Sequence, residues 1–208
     1  MRKLPTLISA VIICATPAFA QARGFDSDFS QAVTGPFKLE VIVSDDLAHR
    51  ANNLPKKLSD RGTSSRLNSA YASNGKYGDR AIEDLLEEMH EEITGDFAKR
   101  GLVLSESAPT LLRITIVKAK PNRPTFNQLG EDPSLSFKSY GIGGAEVSAE
   151  FITAGGDVVG TAEYDYYSSF GDRPHLSASG VWTDADRAMS RFSKKLSKKL
   201  AKMNQDAS

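Results

Sequence analysis

The stretch AEVSAEFITAGGDVVGTAEYDYYS, from Ala145 to Ser168, decides the fold. Apolar side chains occupy every second position in both of its halves: Val147, Ala149 and Phe151, and then Ala162, Tyr164 and Tyr166. Such alternation places the apolar side chains on one face of a strand. The segment Ala154-Gly155-Gly156-Asp157 between the halves is typical of a tight turn. The stretch therefore predicts an antiparallel β-hairpin with one buried face.

Other segments have equally regular patterns. Apolar and polar residues alternate from Phe37 to Val43 and from Thr110 to Lys120, which predicts two more strands, and Leu102 to Leu104 predicts a short one. From Ile82 to Phe97 and from Ala185 to Met203, apolar residues instead recur every three or four positions. This spacing predicts two amphipathic helices, the first with a glutamate-rich outer face and the second with a lysine-rich one.

The order of these elements predicts an α+β fold. We expect two layers, a mainly antiparallel sheet and two amphipathic helices that cover one of its faces. Residues 36–203 are expected to form a single domain, within which residues 125–140 make an irregular connection. Residues 21–35 are polar and carry no period, so they predict a flexible lead-in, and residues 204–208 predict a frayed tail.

The first twenty residues, MRKLPTLISAVIICATPAFA, have the layout of a secretory signal. A basic start precedes a short apolar core, and Ala18-Phe19-Ala20 supplies the small residues that a signal peptidase requires. Cys14 follows the bulky Ile13, which is unlike a lipid-attachment site. We expect cleavage after Ala20 and a periplasmic or secreted product. Because Cys14 is the only cysteine, the processed chain is expected to have no disulfide, thiolate nucleophile or cysteine-based metal site.

Composition and charge exclude two classes of function. The chain has 26 Lys and Arg residues and 26 Asp and Glu residues, a formal net charge of zero. Nucleic-acid binding is not expected, since it requires a basic excess on one face. Beyond residue 20, no apolar run is long enough to predict a membrane-spanning helix.

The segment Gly141-Ile142-Gly143-Gly144 resembles a phosphate-binding loop only in its glycine content. A dinucleotide loop lies between a strand and the start of a helix, where amide groups and the helix dipole meet a phosphate. Here the glycines precede a strand, so we predict that they serve backbone geometry. His90 beside Glu87 and Glu91 suggests at most a weak metal site, and a solvated helix surface is favoured because zinc sites require three or four convergent ligands. We assign no catalytic residue, cofactor or metal.

Two groups of residues are candidates for a partner surface. The first group is aromatic and consists of Tyr164, Tyr166, Tyr167 and Trp182. The second is the lysine face of the last helix, with Lys194, Lys195, Lys198 and Lys199. Core packing is the favoured alternative for the aromatic group, because its tyrosines fall in a strand. Basic amphipathic helices bind anionic surfaces. For the lysines the favoured alternative is the solvated outer face of a helix that covers the sheet.

The sequence resembles a family of small envelope proteins of unknown function from Gram-negative bacteria, many of them lipoproteins. The residues that carry the resemblance are the segment Tyr140 to Ala145, the hairpin with its Gly155-Gly156-Asp157 turn and the closing helix. The resemblance implies an α+β fold, a location in the cell envelope and no known catalytic residues. It transfers no site residues to this chain.

These observations favour a soluble periplasmic binding or assembly protein of the cell envelope without catalytic activity. Its partner would be an envelope protein or an anionic surface. The alternative is a periplasmic hydrolase whose site is assembled from residues distant in sequence. A deep pocket that holds a nucleophile and a base within hydrogen-bond reach of each other would favour the hydrolase.

Overall fold

The structure, a computed structural model, describes residues 24–56, 75–168 and 180–206. The predicted signal peptide, including Cys14, lies outside these ranges. Five strands and four helices follow one another in the described residues: β1 (Phe25–Phe29), β2 (Phe37–Val43), α1 (Asp45–Asn52), α2 (Asp79–Ala98), β3 (Thr110–Lys120), α3 (Phe126–Glu131), β4 (Gly144–Ile152), β5 (Val158–Tyr167) and α4 (Thr183–Asp206).

The strands form one sheet in the order β1-β5-β4-β3-β2. The predicted hairpin is confirmed as β4 and β5, with Val147 opposite Tyr164 and Ala149 opposite Ala162. β3 also pairs antiparallel with β4, whereas β2 and β3 are parallel. The chain between β2 and β3 passes through α1 and α2 and re-enters the sheet from the same end, so these two strands run in one direction. The sheet is mainly antiparallel, as predicted.

Residues 25–29 correct the prediction of a flexible lead-in, because they form β1. This strand pairs antiparallel with β5 at the edge of the sheet. Phe25 and Phe29 point to the covered face, where Phe25 lies 6.2 Å from the ring of Phe192 and Phe29 lies 5.5 Å from that of Phe151. The segment has only two apolar residues in five, which is too short a pattern to distinguish a strand from a polar lead-in.

The helices α2 and α4 pack side by side against one face of the sheet, which confirms the predicted α+β fold class. α4 lies over β4 and β5, and α2 contacts β2 and α4. Each helix buries one stripe: Ile82, Leu85, Met89, Ile93 and Phe97 in α2, and Ala185, Ala188, Met189, Phe192, Leu196 and Leu200 in α4. None of the helices in the described ranges is long and apolar enough to span a bilayer.

Three local predictions need correction. The helix α4 continues to Asp206, so residues 204–206 are helical and not a frayed tail. The connection of residues 125–140 is not wholly irregular, because a capping box between Thr125 and Gln128 starts the short helix α3. Residues 102–104 form no strand, and Leu104 makes only an isolated bridge to Phe37.

Candidate functional site

The lysines of α4 form one exposed surface. Lys194, Lys195, Lys198 and Lys199, here called the basic face, all lie on the solvent side of the helix. Their spacing places them opposite the buried stripe, since residues three or four apart share one side of a helix. Within the described ranges none of the four makes an ion pair, and Lys194 donates a hydrogen bond to the hydroxyl of Ser190 at 2.9 Å.

Aromatic rings of the sheet support this basic face from below. The Nζ atom of Lys195 lies 5.4 Å from the ring centre of Tyr164 and 6.0 Å from that of Phe25. Lys199 lies 6.0 Å from the ring of Phe29. A cation within about 6 Å of an aromatic ring is attracted to its face. These contacts hold the lysine stems against β1 and β5 while their charges stay in water.

The four candidate aromatic residues do not form one surface. Tyr164 is buried beneath Lys195, and Tyr166 lies on the same side of the sheet with the guanidinium of Arg191 4.4 Å above its ring. Tyr167 faces the opposite side of the sheet. Trp182 is 6% exposed and packs edge-on against Tyr77 at 5.5 Å. The burial of Tyr164 and Trp182 agrees with the core-packing alternative, and the exposed part of the candidate surface consists of lysines.

Tyr167 joins a polar cluster on the opposite side of the sheet. Its hydroxyl lies 3.2 Å from the Oε1 atom of Glu146, and Lys120 lies 5.3 Å from its ring. Burial, together with the nearby Glu146 carboxylate, raises the pKa of the Tyr167 phenol above its ordinary value. Tyr167 therefore stays neutral and donates to Glu146.

The glycine segment before β4 packs against a buried asparagine. A Cβ atom added to Gly143 would lie 2.5 Å from the side-chain oxygen of Asn122, and one added to Gly144 would overlap the carbonyl oxygen of Tyr166. The amide of Gly141 donates to the backbone oxygen of Asn122 at 2.8 Å. The glycines are thus positioned by close backbone approach, which agrees with the role in backbone geometry that the sequence predicts.

A buried carboxylate connects this segment to α4. Asp184, fully buried in the first turn of the helix, accepts hydrogen bonds from the amide of Asn122 at 2.5 Å and the hydroxyl of Ser168 at 2.6 Å. Its other oxygen accepts from Arg187 at 2.8 Å. The backbone amide of Asp184 donates to Asn122 in return, at 2.8 Å. We call Asn122, Ser168 and Asp184 the buried polar node. It joins the ends of β3 and β5 to the start of α4.

The buried polar node contains a hydroxyl and a carboxylate in contact, which is the pairing that the hydrolase alternative requires. Ser168 is 5% exposed, however, and the carboxylate already accepts three hydrogen bonds. The geometry of the node therefore ties three elements together and gives no access to a substrate.

In residues 24–56, 75–168 and 180–206, no group of three His, Cys, Asp or Glu side chains is arranged to hold a metal ion, and this includes the neighbourhood of His90.

The interface between α2 and α4 holds carboxylates that no sequence pattern connects. Burial raises the pKa of Asp186 to about 7, and the negative charges of Glu88, Glu92 and Asp184 act in the same direction. Burial and the neighbouring Glu92 and Glu91 also raise the pKa of Glu88. These residues lie on two helices far apart in the chain, so no local signal could have revealed them.

Comparison with known proteins identifies only a distant likeness. No family model and no curated protein matches the chain. Two crystal structures of the PelC dodecamer from Paraburkholderia phytofirmans, one of them of a single-substitution variant, are similar to this chain. One has a TM-score of 0.41 at 11% sequence identity and covers 83% of this chain and 95% of that chain. The other has a TM-score of 0.40 at 12% sequence identity, and the match covers 82% of this chain and 96% of that chain.

Proposed function

We propose that the protein is a non-catalytic binding or assembly protein of the cell envelope, and that the basic face of α4 binds an anionic surface. One observation carries this proposal: four neighbouring lysines are exposed, have no acidic partner within the described ranges and include two that are held above aromatic rings. The signal-like pattern of residues 1–20 supports export to the envelope.

The spacing of the four lysines on α4 favours a binding role for the basic face over the role of a solvated helix surface. Lys194 and Lys198, and likewise Lys195 and Lys199, are four residues apart on the helix. Like charges at this spacing destabilise a helix by about 0.2–0.5 kcal/mol per pair. Acidic residues among the lysines would relieve this repulsion, and an anionic partner would relieve it equally.

The packing of α4 determines the kind of binding. Phe192, Leu196 and Leu200 are fully buried against the sheet, so the apolar stripe of the helix is not free to enter a lipid layer. Interfacial helices bind membranes by burying such a stripe in the headgroup region. The basic face must therefore act by charge at the surface, and its binding should weaken as salt screens the charges.

Vesicle sedimentation tests the proposal. We expect the protein to sediment with vesicles that contain phosphatidylglycerol but not with pure phosphatidylcholine vesicles. Binding should fall about tenfold or more when salt is raised well above physiological strength. A variant with glutamine at Lys194, Lys195, Lys198 and Lys199 should lose this binding.

A matched control variant carries the same charge change elsewhere, with glutamine at four other lysines: Lys38, Lys56, Lys76 and Lys138. It should bind vesicles as the parent does. Equal binding by the α4 variant and the parent, or no binding of the parent to anionic vesicles, would contradict the proposal.

A further inference from the structure

The face of the sheet that points away from α2 and α4 is acidic at one edge. Asp26 and Asp28 on β1 and Glu163 and Asp165 on β5 lie side by side there, and we call these four residues the acidic edge. Asp26, Asp28 and Glu163 are exposed, and Asp165 is half-buried. The acidic edge and the basic face flank the same strand on opposite sides of the sheet, because Lys195 and Lys199 lie over Phe25 and Phe29 of β1.

Carboxylates of the acidic edge lie opposite other carboxylates in the sheet, since Asp165 also faces Glu146 of β4. Asp26 lies directly opposite Glu163 in the antiparallel pair, and like charges in this position are destabilising. Partial burial raises the pKa of Glu163, and the charge of Asp26 acts in the same direction as the smaller cause. No Lys or Arg side chain in the described part of the chain pairs with any of the four carboxylates.

Elsewhere on the same face, acidic residues have cationic partners. Arg113 lies 2.6 Å from a carboxylate oxygen of Glu40 and 4.0 Å from one of Glu150. Lys118 lies 2.9 Å from Glu146. Cations of β3 thus compensate the carboxylates of β2 and β4, whereas the carboxylates of the acidic edge are left for a cation from another molecule.

We propose that the acidic edge of one copy binds the basic face of α4 of a second copy, which goes beyond the proposed function because it gives the basic face a protein partner as well. The two patches are opposite in charge and similar in spacing. Asp26 and Asp28 are two residues apart on a strand, or about 7 Å. Lys195 and Lys199 are four residues apart on a helix, or about 6 Å. Two lysines can therefore face two aspartates at once.

The placement of the patches determines the kind of assembly. Each copy presents its basic face on one side of the sheet and its acidic edge on the other, so the contact joins different surfaces of the two copies. Such head-to-tail contacts produce a ring when the rotation between copies closes, and a filament when it does not. The contact consists of exposed ion pairs, so association should depend strongly on salt.

A charge-swap experiment tests this contact. One variant reverses the basic face with Lys195→Glu and Lys199→Glu, and the other reverses the acidic edge with Asp26→Lys and Asp28→Lys. In analytical ultracentrifugation at low salt, the parent should associate as its concentration rises, and each variant alone should weaken association by about tenfold or more. An equimolar mixture of the two variants should associate again, because each supplies the charge that the other lacks.

A control variant, Lys56→Glu with Lys138→Glu, has the same charge change as the first variant and should associate like the parent. Circular dichroism and urea unfolding confirm that each variant is folded. A parent that stays monomeric at its highest soluble concentration, or a mixture that stays as dissociated as its components, overturns the inference. If the parent binds anionic vesicles but stays monomeric, only this inference fails. If the mixture associates while the glutamine variant of α4 still binds vesicles, the proposed function fails.

Discussion

Replacing Asp184 with alanine removes the centre of the buried polar node and should destabilise the protein strongly. The lost carboxylate accepts hydrogen bonds from Asn122 at 2.5 Å and from Ser168 at 2.6 Å, and both donors would remain buried. A buried polar group left without a partner costs about 1–3 kcal/mol. Arg187 loses its partner too, but its side chain is 32% exposed and can turn toward water. We therefore expect the free energy of unfolding to fall by about 2–5 kcal/mol.

Equilibrium unfolding in urea, followed by circular dichroism, measures this change. The slope of the unfolding free energy against urea concentration should stay the same while the midpoint falls. This would show that stability has changed and that the surface exposed on unfolding has not. The control is Asp157→Ala in the exposed β4–β5 turn, which should change stability by less than about 0.5 kcal/mol. The double variant of Asn122 and Asp184 should lose less than the sum of the two single losses, since the residues share hydrogen bonds. An Asp184→Ala protein as stable as the control would refute the reasoning.

Three other predictions concern packing and charge. Leu196→Ala should cost about 2–5 kcal/mol in urea unfolding because the side chain is fully buried, whereas Lys198→Ala should change stability by less than about 0.5 kcal/mol; equal effects would contradict the packing of α4. The folded-state pKa of Asp186 is raised to about 7 from 3.8, so stability is lost as pH rises through this window. Asp186→Asn should therefore stabilise the protein at pH 8 more than at pH 4, and a pH-independent effect in urea unfolding would exclude this titration. Gly143→Ala should lower the thermal midpoint, because the added Cβ would lie 2.5 Å from the oxygen of Asn122; an unchanged midpoint would show that this segment yields easily.

The regular elements could be predicted from the sequence because each carries its own periodic pattern. The β4–β5 hairpin and the buried stripe of α4 follow from alternation and from helical spacing, respectively, and both signals are local. β1 was not predicted because two phenylalanines in five residues make too little pattern. Its place is determined by pairing with β5, which lies more than a hundred residues further along the chain. The parallel β2–β3 pair likewise depends on a crossover that no local pattern shows.

The candidate site residues likewise divide into those that a local pattern predicts and those that only the folded structure brings together. The exposed lysines of α4 were predictable, since helical spacing alone separates them from the buried stripe. The rings beneath the lysines were only partly predictable. Tyr164 was a candidate, but Phe25 and Phe29 come from β1, which no pattern in the sequence indicates. The buried polar node was not predictable, because Asn122 and Asp184 are 62 positions apart and meet only after the sheet and α4 pack together.

Lysine footprinting in intact cell envelopes tests most directly whether the basic face of α4 is the binding surface. A short pulse of an amine-acetylating reagent, followed by mass spectrometry, compares each lysine in envelopes with the same lysine in purified monomer. We predict slower acetylation of Lys194, Lys195, Lys198 and Lys199 in envelopes, with unchanged rates at the exposed controls Lys56 and Lys138. Equal rates for the four α4 lysines in both samples, or protection confined to the control lysines, would contradict the account.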